Sequence, residues 1–293
     1  MSVRGPRSFL LGAAGCAAGF GLLLALVYLS SRARVADATA LQGFVGLERP
    51  RTAAGLELIA HLGDPEAVGL MGLALACLAL ARGKPRHAAA VIVLLALTSV
   101  SSQALKAVID YPRWESLILY PVVRDAAFPS GHATAAMTIA LCGVLVAPPR
   151  ARPLAAAAGL VFVLAISYAL LAIGSHFPSD VAAAFLVATG WALVVVAALR
   201  AAAARWPERS GRSRARAALA RGVERATAAG LAVVLAATVV GGVLVGGAFA
   251  FARGGEAAAY LGENTTAAGV AVGLALAAVV LLAAITAALR TSR

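Results

Sequence analysis

LAAAAGLVFVLAISYALLAIG, residues 154–174, is followed by SHFPSD, 175–180, and then by VAAAFLVATGWALVVVAAL, 181–199. Both apolar runs lack any charged residue and are close to the roughly 20 residues a helix needs to cross a bilayer core. Neither shows the two-residue alternation of a membrane barrel strand, so both read as helices. The pattern recurs in both directions, at about Phe9–Leu29, Pro65–Ala81, Ala88–Val108, Gly131–Ala147, Ala226–Phe251 and Thr266–Leu289. The expectation is therefore an all-α, polytopic membrane helix bundle of about eight spans. Composition agrees: 61% of the 293 residues are hydrophobic even before the 29 glycines are counted, where soluble domains hold about 45–50% with glycine included. Charged residues at 13% also exclude a disordered chain, which needs charge and polarity to stay open.

The first run is longer than the roughly 7–15 residues of a signal-peptide core, so it reads as a retained anchor. Between it and the next span, Ser30–Asp64 reads as a loop in which Thr52–Leu62, with Leu56, Leu58, Ile59 and Leu62 at helical spacing, forms a short interfacial helix. Cys16, Cys77 and Cys142 all fall within spans and read as packing residues, with neither a disulfide framework nor a metal site.

A net charge of +12 raises nucleic acid as a partner. Its distribution points elsewhere. With the N-terminus inside, alternate connections hold 17 of the 25 basic residues and, of the acidic ones, only Glu208 and Glu224. That asymmetry is the positive-inside pattern and puts both termini in the cytoplasm. Eight of those arginines lie between Arg200 and Arg225; the segment reads first as an orientation signal and second as a surface for anionic headgroups. No folded basic surface outside the membrane is evident, so nucleic acid is not an expected partner.

Polar residues are expensive in such a chain, and three clusters of them stand at helix ends on the non-cytoplasmic side. Pro129-Ser130-Gly131-His132 opens one span. Serine and glycine suit a helix start, whose unpaired amides bind phosphate, and His132 in that first turn is a candidate proton donor. His176 and Asp180 are four apart, so near-helical geometry puts them on one face; a carboxylate on one ring nitrogen would leave the other free as base or nucleophile. Lys106 and Arg113, seven apart, end a third span, and Arg113 offers bidentate donors for phosphate oxygens. Each cluster alone also fits a capped or interfacial helix end. Together they describe an oxyanion site with two histidines and one carboxylate. His87, beside Lys84 and Arg86, reads as a solvated turn residue and His61 as interfacial.

These residues resemble the motifs of the type 2 phosphatidic acid phosphatase (PAP2) superfamily of integral membrane lipid phosphatases: K-x6-RP, PSGH and SR-x5-H-x3-D. Lys106 and Arg113 match the first, with Trp114 in place of the proline. Pro129 to His132 match the second in full, and His176 and Asp180 match the end of the third. The resemblance spans about residues 50–200. It implies a six-helix core over 1–200; the basic cytoplasmic loop 201–225 separates that core from a two-helix appendage over 226–293, which lies outside the resemblance. It also implies a phosphoryl transfer that needs no metal or other cofactor. His176 would become a phosphohistidine, Asp180 would orient its ring, and His132 would protonate the leaving lipid oxygen and later activate water. Lys106, Arg113, Ser130 and the Gly131 amide would hold the phosphate oxygens. The implied substrate is a phosphatidate or polyprenyl pyrophosphate, and the implied place a bacterial plasma membrane with the site facing outside.

The departure is in the third motif, whose Ser-Arg falls on Ala169 and Leu170. Losing a charged donor at such a site costs roughly 3–4 kcal/mol, a hundred- to thousandfold in rate. Three explanations stand open. Arg124 supplies the charge, the chemistry is a phosphotransfer from lipid to an alcohol, or the protein binds lipid phosphate with little turnover.

Overall fold

The computed structural model describes residues 6–47, 52–109, 128–206, 255 and 259–290. Among the described residues the chain is helical throughout, without a strand. In chain order the helices are α1 (Pro6–Leu29), α2 (Ser31–Val45), α3 (Ala53–His61), α4 (Pro65–Ala81), α5 (Pro85–Val108), α6 (Gly131–Val146), α7 (Arg152–Ala172), α8 (Pro178–Arg205) and α9 (Thr265–Arg290). Proline opens α4, α5 and α8 and stands within the first turn of α7, where its missing N–H is not needed.

α1, α5, α7, α8 and α9 are each long and apolar enough to cross a membrane. α3 and α4, bent by 50° at their junction, count as a sixth crossing if taken as one broken span. α6, at 16 residues, is short for a crossing but sits at the centre, packed against α4, α5, α7, α8 and α9. The expected span Ala226–Phe251 lies outside the described residues. The outward faces of α1, α4 and α9 expose Leu10, Leu22, Leu70, Leu73, Val272 and Leu276, which suits a lipid surround and would be a liability in water. The protein is an integral membrane helix bundle.

Tight packing follows from small residues, which let helix backbones approach where lipid removes the hydrophobic drive. At the α6–α7 crossing a Cβ placed on Gly159 would lie 2.7 Å from the Cβ of Ala140; any side chain there would push the two helices apart.

One expectation is corrected. Ser30–Asp64 is mostly helix rather than loop: α3 covers the segment expected to be helical, and α2 was not expected. Ser30 caps α2 by accepting the Ala33 N–H at 3.3 Å. Ala38, Leu41 and Phe44 recur every third residue on its buried side. α9 packs against α2, α6, α7 and α8.

The connections gather at two ends of the bundle. One end holds the α1–α2, α3–α4 and α7–α8 turns with the end of α5 and the start of α6. The other holds the α4–α5 and α6–α7 turns with the ends of α8 and α9.

Candidate active site

The first of these ends carries the histidines. Phe177, extended, precedes α8, and Asp180 in the first turn accepts the Phe177 N–H at 2.8 Å. The same carboxylate oxygen lies 3.4 Å from Nδ1 of His176. Asp180 is wholly buried and His176 nearly so. A buried carboxylate on Nδ1 makes that nitrogen the one that carries the proton, which leaves Nε2 with its lone pair for chemistry. The 3.4 Å separation is at the long limit of a hydrogen bond, as pairs of this kind often are before substrate tightens them.

The start of α6 is sewn to the start of α8. The Ser130 N–H donates to the backbone carbonyl of Asp180 at 3.1 Å. Ser130, fully buried, caps α6 by accepting the Ala133 N–H at 3.3 Å. α1 fixes the approach to this turn, because Phe128 is buried against Phe20 and stands edge-on to Tyr28. The Tyr28 hydroxyl also reaches the Ile109 carbonyl, at 3.4 Å, just past the end of α5. Lys106, one turn earlier on α5, brings its ammonium to this N-terminus: a Cβ built on Gly131 would lie 3.4 Å from Lys106 Nζ. The lysine is also within electrostatic reach of Asp180.

His132 points to a residue that sequence reasoning missed. Its Nε2 lies 2.8 Å from Oδ1 of Asp64, whose Oδ2 lies 2.7 Å from Nδ1 of His61. Asp64 stands at the N-cap of α4 but makes no side-chain cap bond there; its carboxylate is given over to the two imidazoles. These hydrogen bonds hold the Asp64 carboxyl below the usual carboxylate range. The α3–α4 corner presses on His132 so closely that a Cβ on Gly63 would lie 2.9 Å from its side chain. Sequence distance hid the pair, since 68 residues separate its members; Asp64-Pro65 reads as a plain helix start.

A second missed carboxylate is Asp37 of α2. It accepts the Ser179 N–H at 3.0 Å and the Ser179 hydroxyl at 2.6 Å, capping from 142 residues away the helix turn that carries Asp180.

Among the expected site residues, then, Lys106, Ser130, Gly131, His132, His176 and Asp180 meet at one end of the bundle. Arg113 and Arg124 lie outside the described residues. Leu170, at the position of the family's arginine, is buried in the core, with its carbonyl accepting both the N–H and the hydroxyl of Ser175.

The fold and this site define a helical membrane protein with paired histidine–carboxylate groups around a helix N-terminus able to take an anion. Residues 87–204 match the sequence model of the PAP2 superfamily, and so contain all the described motif residues. The PAP2 superfamily is the family the sequence motifs resemble. The fold is similar to the crystal structure of a transmembrane PAP2 type phosphatidylglycerolphosphate phosphatase from Bacillus subtilis. The TM-score is 0.55 at 18% identity, covering 68% of this chain and 98% of that one. At that identity the likeness is one of fold. No curated protein sequence matches the chain.

Proposed function

We propose that the protein is a membrane lipid phosphatase that works through a phosphohistidine. Nε2 of His176 attacks phosphorus, the bond from phosphorus to the lipid oxygen breaks, and His132 gives that oxygen its proton. The lipid leaves as an alcohol, or as a monophosphate if the substrate is a pyrophosphate. His132 then takes a proton from water, whose oxygen attacks phosphorus and breaks the P–N bond, releasing phosphate and restoring His176. Asp180 orients His176 and stabilises its ring while positive. Lys106, the amides at the start of α6 and Arg113 hold the non-bridging oxygens as charge redistributes. The observation that carries this reading is the Ser130 N–H to Asp180 carbonyl bond, which joins the second and third motifs while Lys106 lies against Gly131.

A lipid substrate has its own support. Between α1, α5 and α8 runs an apolar groove of about 540 Å³, walled by Ala13, Phe20, Ser101, Leu105, Leu186 and Trp191. Leu105 precedes Lys106, so the groove adjoins the phosphate-binding end and has the chemistry for a hydrocarbon tail. Phosphatidate and polyprenyl pyrophosphate are the proposed substrate classes; the charge asymmetry supports a site on the outer face, and the proposed location is a bacterial plasma membrane.

The test is phosphate release from lipid mono- and pyrophosphates by purified protein in detergent with chelator present. Wild type should release phosphate and His176→Ala should not; equal turnover by the two overturns the reading. Leu170 favours a second reading, a lipid-phosphate binder or a phosphotransferase to an alcohol. Leu170→Arg should raise release by a slow hydrolase and leave a binder inert, while an added alcohol acceptor should divert product from a phosphotransferase.

A further inference from the structure

His61, which reads from the sequence as an interfacial residue, closes a chain of hydrogen bonds that runs through Asp64 to His132. Resting on the phosphatase reading above, we propose that His61 is a positioning residue for the acid–base step. It holds the Asp64 carboxylate so that His132 keeps its Nε2 proton and exchanges protons with the substrate through Nδ1 alone.

The corner between α3 and α4 builds this arrangement. His61 ends α3, and Leu62, Gly63 and Asp64 each donate a backbone N–H to the carbonyl three residues back, at 3.2, 2.9 and 3.1 Å. In so tight a turn the side chains at i and i+3 eclipse, which brings His61 over Asp64. Pro65 confines Asp64 to extended backbone, at φ −66° and ψ 151°. An aspartate there ordinarily accepts an N–H of the helix it precedes. Asp64 forgoes that bond and gives one oxygen to each imidazole.

The two histidine–carboxylate pairs of the site are held in different ways. Asp180, behind His176, is wholly buried, whereas Asp64 is one-third exposed. Packing fixes the first. A carboxylate open to water turns about its own axis unless both oxygens are engaged. Here Oδ1 meets Nε2 of His132 at 2.8 Å and Oδ2 meets Nδ1 of His61 at 2.7 Å, which fixes the carboxylate plane. His61 thus does for Asp64 what burial does for Asp180.

The same corner selects the reacting nitrogen. A Cβ on Gly63 would lie 2.9 Å from both Cβ and Cδ2 of His132. The ring edge made of Cδ2 and Nε2 therefore faces the corner, and Nδ1 lies on the other edge. With Nε2–H donated to the Asp64 anion, His132 enters the reaction protonated on both nitrogens. It gives the Nδ1 proton to the leaving lipid oxygen and takes one back at Nδ1 from the attacking water. The Nε2 proton never leaves, so each cycle restores His132 and Asp64 without a change of tautomer.

The test uses the full-length protein in detergent, with steady-state phosphate release from phosphatidate and from a polyprenyl pyrophosphate, and thermal midpoints for every variant. His61→Ala should lower kcat about three- to tenfold, the scale of one hydrogen bond to a partly exposed anion, with KM and midpoint unchanged. His61→Asn, whose amide N–H can take the place of Nδ1–H, should recover most of that loss. Leu58→Ala, at an exposed position on the same helix, should match wild type. Because His61 acts through Asp64, His61→Ala should cost nothing further in an Asp64→Asn background. The proposal is overturned by a kcat of His61→Ala equal to wild type, by a loss that His61→Asn does not recover or that Leu58→Ala shares, or by additive losses in the double variant. In each of those cases release by wild type but not by His176→Ala leaves the phosphatase reading standing. If wild type releases no phosphate, that reading falls and the proposal falls with it.

Discussion

The two ends of the bundle handle charge in opposite ways. At the histidine end, carboxylates stand against the three histidines there and against the start of α8: Asp180 with His176, Asp64 with His132 and His61, Asp37 with Ser179. At the basic end, cations stand against backbone carbonyls. Arg82 donates to Val146, Arg86 to Trp206, Arg152 to Leu289 and Arg200 to Ala288. A carboxylate beside an imidazole fixes which nitrogen carries the proton, which is what proton and phosphoryl transfer require. A guanidinium on a helix C-terminus satisfies orphan carbonyls and the helix dipole, and has no proton to trade. The difference between chemistry and anchoring therefore lies in what the charges face rather than in how many there are.

The largest break in this contrast should come from Asp180→Asn. The amide keeps an oxygen to accept the Phe177 N–H but removes the charge that sets the His176 tautomer. Steady-state phosphate release should fall by about 10³–10⁴, the scale seen when a buried carboxylate behind a catalytic histidine is neutralised, with thermal stability little changed. Asp64→Asn should cost less, about 10- to 100-fold in kcat, because general acid–base assistance contributes 10²–10⁴ and His132 itself is retained. A loss confined to KM would show that Asp64 shapes binding instead. Asp37→Ala should act on stability first, by about 1–2 kcal/mol for a lost charged cap, measured by thermal or chemical denaturation.

Much of this is legible in the sequence. In a chain this apolar, Lys106, His132, His176 and Asp180 were conspicuous because each is costly at a helix end within a membrane, and the i, i+4 spacing of His176 and Asp180 foretold their shared face. Helix existence followed from apolar run length. α2 was missed because Ser31–Val45 is only amphipathic, so a search for apolar windows passes over it, although Ser30 and the three-residue recurrence of Ala38, Leu41 and Phe44 were there to be read. Asp64 and Asp37 were illegible for a different reason. Their long-range partners, His132 and Ser179, lie 68 and 142 residues away, and only the packing of α4 beside α6, and of α2 beside α8, brings them together. His87 was expected in solvent but is half-buried and lines a basic cavity, a consequence of three connections converging where each was read singly.

The smallest expected effect isolates the carboxylate that links two histidines. Hydrogen bonds from His132 and His61 lower the Asp64 pKa in the folded protein, so ionised Asp64 favours the folded state. For a depressed carboxyl that contribution is fully present above the unfolded value, about 3.9, and is lost as pH falls through the lower folded value. Asp64→Asn cannot titrate and so lacks this dependence. The stability difference between wild type and Asp64→Asn should therefore shrink as pH falls below about 4. Because Asp64 is a third exposed, solvent screening keeps the difference small. Parallel denaturation curves at about pH 5 and pH 3.5 measure it, and a gap that widens between them would mean that Asp64 is held protonated rather than as the anion facing His132.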